Sequence, residues 1–213
     1  MKKKYIIVSV TFACLLSCQK AEKLAVPKPK ISIEKKIISN KKQNSPAFTF
    51  KILKKDGDDR PIEIKIEITR NNKISQTITY KPNFWQVAEE PFEVSQISYF
   101  QNNTPIKEGV ENFHDFIIGD YNFDGLEDFA ILYDSGGNGG PSYAYYFQNN
   151  NEEFYLDQDF LLNQGSFPKK IDHINHTLTT IVPVGCCKTS TTIFQLDKNN
   201  GWNVISEKEE DMK

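Results

Sequence analysis

The residues best suited to chemistry lie in one run, Asp120-Tyr121-Asn122-Phe123-Asp124-Gly125-Leu126-Glu127-Asp128. A hard cation such as calcium takes about six to eight oxygen ligands, and short side chains at alternate positions can converge on one point. Asp120, Asn122 and Asp124 stand at positions one, three and five of such a loop. Gly125 permits the sharp turn at six, the Leu126 carbonyl serves at seven, and Asp128 closes the loop at nine. Carboxylates held this close repel one another unless a cation neutralises them, so calcium is the expected cofactor. Asp134, on the strand leaving the loop, is a further candidate ligand. The spacing follows the start of the EF-hand pattern, but the glutamate of position twelve is replaced by Ile131. Phe116-Ile117-Ile118 leads in and Phe129-Ala130-Ile131-Leu132 leads out, so strands flank the loop. That context predicts a static cation clip, not a switch that parts two helices.

A second run follows directly: Asp134-Ser135-Gly136-Gly137-Asn138-Gly139-Gly140-Pro141-Ser142-Tyr143. Glycines have nothing to pack, and they allow dihedrals closed to other residues. Phosphate-loop spacing and an adjacent lysine are both missing. The run reads either as a β connection beside the cation or as a partner-binding loop. In the second case Ser135, Gly136, Asn138, Ser142 and Tyr143 would carry it, with Tyr145 adding a hydroxyl. The histidines point to no zinc site, since His173 and His176 lack a third nitrogen or thiolate nearby and His114 stands alone. No nucleophile elbow is visible, and the expectation is a protein that is not an enzyme.

Cysteine usage speaks to location. Lys2-Lys3-Lys4 precedes the apolar run Tyr5 to Leu16, which is shorter than the roughly 20 residues of a membrane span and fits a secretory signal. Leu15-Leu16-Ser17-Cys18 looks like a bacterial lipobox, in which Cys18 is acylated and becomes the first residue. Several acyl chains hold a protein firmly on a membrane without a spanning helix. Cys14 leaves with the signal, so Cys186 and Cys187 remain, to close a vicinal disulfide or to stay as thiols. A redox-catalytic pair would need the C-x-x-C spacing, which is absent.

The elements that must position these residues are strands. Ile62-Glu63-Ile64-Lys65-Ile66-Glu67-Ile68 alternates with period two, and Arg70-Asn71-Asn72-Lys73 turns it into Ile74 to Tyr80, a hairpin. Further strands are expected at Phe48–Leu53, Val94–Phe100, Phe113–Gly119, Asp128–Tyr133, Tyr143–Phe147, Glu153–Leu156, Thr177–Val184, Thr189–Leu196 and Trp202–Ile205. A helical turn fits only Leu156–Leu162 or Gln86–Glu90. The fold class is therefore all-β, and a two-sheet antiparallel sandwich buries one face of each strand.

The 213 residues carry a formal net charge of -2, unevenly spread. Residues 18–42 hold eight Lys against two Glu, and residues 43–213 hold 15 basic against 26 acidic side chains, a net of -11. An acidic body on a basic tether is no nucleic-acid binder, which needs a cationic face. The expected domains are a signal peptide at 1–17, a lipidated Cys18 with a flexible basic linker over 18–45, and a calcium-binding sandwich over 46–213.

Two resemblances bear on the same residues. Gly119 to Leu132 is similar to the calcium loops of integrin-type propeller repeats, but the motif occurs once here, where a propeller repeats it in each blade. The span from Phe113 to Trp202 resembles a family of small periplasmic and lipoprotein β-sandwich domains that pair one Asp-x-Asn-x-Asp-Gly-x-x-Asp loop with a Gly-Asn-Gly-Gly stretch and an aromatic strand. That family binds calcium, and its fold resembles inhibitors of invertebrate-type lysozyme. The resemblance implies calcium ligands at Asp120, Asn122, Asp124, the Leu126 carbonyl and Asp128. Those inhibitors insert a Ser-Gly-x-Tyr loop into the lysozyme cleft; this chain has Ser135-Gly136-Gly137-Asn138, with Tyr143 arriving later.

The leading expectation is a non-enzymatic, calcium-binding envelope lipoprotein of the outer membrane, on its periplasmic side or the cell surface. It would bind an extracytoplasmic protein, with a lysozyme as candidate partner and inhibitor-like action. Two alternatives are an envelope polysaccharide hydrolase with a structural calcium, and a passive structural component of an outer-membrane assembly.

Overall fold

A computed structural model describes residues 45–86, 92–100, 114–137 and 139–212. The chain divides into two compact units, Met1–Lys41 and Lys42–Lys213, and the described residues all belong to the second. The expected signal peptide, Cys18, nearly all of the basic linker, and Asn138 lie outside the described residues.

The chain is all-β, with thirteen strands among the described residues: β1 Ala47–Lys55, β2 Pro61–Arg70, β3 Lys73–Tyr80, β4 Gln96–Ser98, β5 Phe116–Gly119, β6 Asp128–Asp134, β7 Ser142–Gln148, β8 Phe154–Leu156, β9 Gly165–Ser166, β10 Lys170–Asp172, β11 Thr177–Val184, β12 Lys188–Leu196 and β13 Trp202–Asp211. They form a three-stranded sheet β1-β2-β3, a six-stranded sheet with order β4-β5-β6-β7-β8 in which β9 pairs with β7, and a four-stranded sheet β10-β11-β12-β13. All pairs are antiparallel except β4 with β5 and an isolated bridge from Phe84 to Asp134.

The first sheet follows from its sequence. Ile64, Ile66 and Ile68 of β2 are fully buried, and each contributes roughly 1.5–3 kcal/mol over an exposed side chain. Lys65 and Glu67 take the other face and pair at 2.6 Å. Asn71 and Asn72 both have positive φ, 50° and 59°, as a tight two-residue hairpin turn requires and as asparagine tolerates.

The six-stranded sheet is covered on both faces. Phe129 lies opposite Tyr146 and Ile131 opposite Ala144, and on that face the Phe129 ring stacks on Phe116 at 4.7 Å and meets Phe48 of β1 edge-on at 5.5 Å. The alternate residues Ala130 and Tyr145 look the other way, where the Tyr145 ring meets Tyr121 at 5.2 Å and Phe160 at 4.9 Å. Double coverage is why β6 and β7 read as unbroken apolar and aromatic runs instead of alternating. To the sandwich the sequence predicts, the structure thus adds a third sheet. Trp202 of β13 meets Phe160 at 5.8 Å, tying that sheet to the second face.

Two polar links join the layers. Tyr80 donates its hydroxyl to the Leu132 carbonyl at 2.8 Å. The Gln76 side-chain amide donates to the Phe154 carbonyl at 2.7 Å and accepts from the Phe154 N–H at 2.8 Å. Leu156–Leu162, where the sequence allows a helical turn, forms successive turns closed by Phe160 N–H to Asp157 O and Asn163 N–H to Phe160 O.

Candidate cation loop and adjoining cavity

Gly119 and Asp128 form the last paired position of β5 and β6, so residues 120–127 are the loop that closes this antiparallel pair. Its side chains fold inward on its own backbone. The Asp124 N–H donates to Asp120 Oδ1 and to Asn122 Oδ1, each at 3.1 Å. Gly125 N–H reaches Asp120 Oδ2 at 3.0 Å, Leu126 N–H reaches Asp124 Oδ1 at 2.8 Å, and Asn122 Nδ2 donates to Asp124 Oδ2 at 2.9 Å. Three of the expected ligands are therefore drawn together within one turn. The turn depends on Gly125, whose φ of +81° is open to glycine at little cost.

Asp128 plays a different part. It is fully buried, and its carboxylate accepts the Tyr121 N–H and the Gln148 N–H, both at 3.0 Å. It thereby straps the start of the loop to the end of β7. Burial pushes its pKa up to about 8, partly offset by those two N–H donors and reinforced by Asp124 and Asp120. Burial likewise raises Asp120, against the Gly125 N–H and nearby His173.

Among the described residues no three His, Cys, Asp or Glu side chains make a metal-holding group by themselves. The donors the loop offers are a mixture of carboxylate, amide and main-chain oxygens, the kind a hard cation accepts. Each carboxylate oxygen that receives one N–H retains a further lone pair. The residues therefore suit calcium in donor type. Asp134 is committed elsewhere, accepting from Gly136 N–H at 2.7 Å and Asn83 Nδ2 at 2.5 Å.

Nothing in the sequence connects the loop with the histidines, yet the structure does. Phe123 has a φ of +61°, rare for a bulky residue, and its ring stacks on His176 at 5.1 Å and meets His173 edge-on at 5.4 Å. His173 Nδ1 lies 3.9 Å from Asp120 Oδ2. Asp172 shapes the turn that carries both histidines, accepting from the Ile174 and Asn175 N–H groups at 3.1 Å. The Asn175 N–H and side chain, the Lys170 ammonium and the Ile174 N–H together hold its pKa well below the usual carboxylate range.

The glycine run folds back on itself. Gly136 has a φ of +72°, and a Cβ there would stand 1.9 Å from the Gly140 carbonyl oxygen. Ser135 is tied to the neighbouring segment, its N–H donating to Phe84 O at 2.7 Å and its hydroxyl accepting from Gln86 N–H at 2.9 Å. Ser142 sits in the sheet between Asp134 and Ser166. Tyr143 is turned inward: it is buried, and its hydroxyl donates to the His114 carbonyl at 3.0 Å. Its ring lines a cavity of about 210 Å³ whose other walls include Gly139, Gly140, Pro141, Phe167 and Ile181. No sequence pattern marks this cavity, because its walls come from several separate segments. Cys186 and Cys187 are joined by a disulfide at the exposed turn between β11 and β12.

No protein-family model matches the chain, and no curated protein matches it. Among solved structures it is similar to a Xanthomonas type IV secretion system related protein, at 20% identity and a TM-score of 0.50, over 79% of this chain and 83% of that one. At that identity the likeness establishes a shared fold.

Proposed function

We propose that this chain is a calcium-binding, non-catalytic module of the bacterial envelope, anchored through acylated Cys18 and binding a protein partner. One observation carries the calcium reading. A single N–H, that of Asp124, is shared by Asp120 and Asn122, so two oxygens at alternate positions are already drawn to one point. Preformed loops of this kind need little reorganisation to accept a cation. Asp120, Asn122, Asp124, Asp128 and the Leu126 carbonyl would hold the ion, and its charge would offset the repulsion that their proximity creates.

The envelope placement draws on the lipobox-like Leu15 to Cys18 and on the likeness to a protein related to a type IV secretion system. The non-catalytic part stands on the sequence, in which no nucleophile elbow is visible; a polysaccharide hydrolase is the alternative, and turnover of an envelope polysaccharide by the purified chain would establish it. A lysozyme is the candidate partner, because a body with a net charge of -11 would steer a basic protein toward it.

Calorimetric titration of the chain from Gln19 onward with calcium, and melting with and without chelator, tests the first part. One binding site and a raised melting temperature are expected, since a ligand that binds only the folded state stabilises it. Asp124→Ala should abolish both effects. An unchanged melting curve at millimolar calcium would reduce the loop to an acidic turn. Unimpaired lysozyme activity in excess protein would remove that partner and leave the calcium reading intact.

A further inference from the structure

We propose that the cavity beside the glycine run binds an aromatic group bearing a carboxylate, either a small aromatic acid or the carboxy-terminal aromatic residue of a peptide. This rests on the binding-module reading and deepens it by naming the chemistry that the module recognises. Size sets the first limit. A dry apolar cavity of roughly 150 Å³ holds a benzene ring, so about 210 Å³ holds a ring with a short acidic tail.

The walls favour an aromatic guest. The Phe167 ring meets Tyr143 at 5.6 Å, Tyr121 at 5.9 Å and Tyr99 at 6.3 Å. Tyr143 and Tyr99 line the cavity with Phe167, and Ile181 lines it from β11. Tilted and edge-on rings of this kind accept a further ring with a gain beyond simple area burial.

The polar groups favour an anion. Lys169 lines the same cavity, and its main-chain N–H is fixed on the Thr179 carbonyl at 2.7 Å. Among the described residues its ammonium has no acidic partner, whereas that of the next residue, Lys170, is paired with Asp172 at 3.1 Å. Tyr99, His114 and Ser166 also line the cavity, and their side chains likewise have no hydrogen bond among the described residues. Asp115, beside His114 in the chain, is engaged by the Ser95 N–H and hydroxyl, both at 2.9 Å. In a body this acidic, the cation of a cavity-lining lysine without an acidic partner among the described residues is best satisfied by a ligand's own carboxylate. One ammonium with neutral polar neighbours matches a monoanion such as a carboxylate.

The test is calorimetric titration of the full chain in detergent, against a detergent blank, with 3-phenylpropionate, its neutral amide, and the peptide Gly-Gly-Phe as free acid and as amide. The acid should bind at one site about tenfold or more tighter than the amide, as a charge-assisted contact implies. Lys169→Met should erase that preference while leaving amide binding and the melting temperature unchanged. Ile181→Trp, which fills the cavity, should abolish both. A peptide acid that outbinds phenylpropionate would identify a chain terminus as the source; the reverse would identify a free acid. Equal affinity for acid and amide, no binding of either, or a Lys169→Met variant that keeps the preference would overturn the proposal. Calcium binding measured on the same samples reports on the loop separately, so the two readings can fail independently.

Discussion

The cation loop and the adjoining cavity are built on opposite principles. Every candidate ligand of the loop comes from nine consecutive residues, and apart from the Asp128 strap to Gln148 its side chains bond to the backbone two to seven positions away. The cavity draws on Tyr99, His114, the glycine run, the segment Ser166 to Lys169, and β11, and no short stretch contains it. Local construction gives the loop a geometry that survives small shifts of the sheets. Assembled construction makes the cavity depend on how two sheets and a glycine turn stay registered. The loop is therefore suited to a fixed structural ion, and the cavity to a guest that reports on the state of the whole fold.

Cutting the strap of each region breaks this comparison most sharply. Asp128→Ala leaves the Tyr121 and Gln148 N–H groups without their acceptor inside the fold, and each orphaned donor costs about 1–3 kcal/mol. The expected loss is ~2–6 kcal/mol in denaturant unfolding, together with calcium binding. Gly136→Ala drives a Cβ into the Gly140 carbonyl at a positive φ and should cost about 2–4 kcal/mol. It should abolish ligand binding in the cavity while the calcium-induced rise in melting temperature persists. A Gly136→Ala variant that lost both would show that the two regions are one unit.

Smaller changes sharpen the contrast. Phe123→Ala removes the ring that joins the loop to His176 and Trp202, and aromatic pairs of this type contribute about 0.5–1.5 kcal/mol each beyond their area. The expected net destabilisation in denaturant unfolding is about 1 kcal/mol, with calcium affinity reduced. Asp172 provides the pH test. Its folded pKa is depressed, so its contribution is present above its unfolded pKa of about 3.9 and fades as the pH falls through the lower folded value. Acid unfolding curves of Asp172→Asn should be flatter below about pH 4 and unchanged in slope near neutrality.

Legibility follows the same division. The hairpin of β2 and β3 is readable because alternation and the Asn71-Asn72 turn agree. The donor types and spacing of the cation loop are readable for the same reason: each requirement falls on a fixed position in one segment. The φ of Phe123 and its docking on His176 are not, since the ring's partner lies on a turn remote in the chain. In β6 and β7 the runs Phe129-Ala130-Ile131-Leu132 and Tyr143-Ala144-Tyr145-Tyr146-Phe147 show strands, but not that a sheet would cover each face. The sequence predicts β13 only as far as Ile205 because Ser206 to Asp211 carry no apolar alternation; pairing with β12, not burial, extends it. The parallel pairing of β4 with β5 involves three residues a side, too few to leave a pattern.

The Gln76 amide has a consequence for the protein in a crowded compartment. β8 is an edge of the six-stranded sheet, and a bare edge offers its main-chain donors and acceptors to any passing strand. By holding both the N–H and the C=O of Phe154, one side chain imitates the neighbour that the sheet lacks. The edge is closed at its first residue without another strand. Gln76→Val would reopen it, and light scattering of concentrated protein should then reveal slow self-association that the native chain resists.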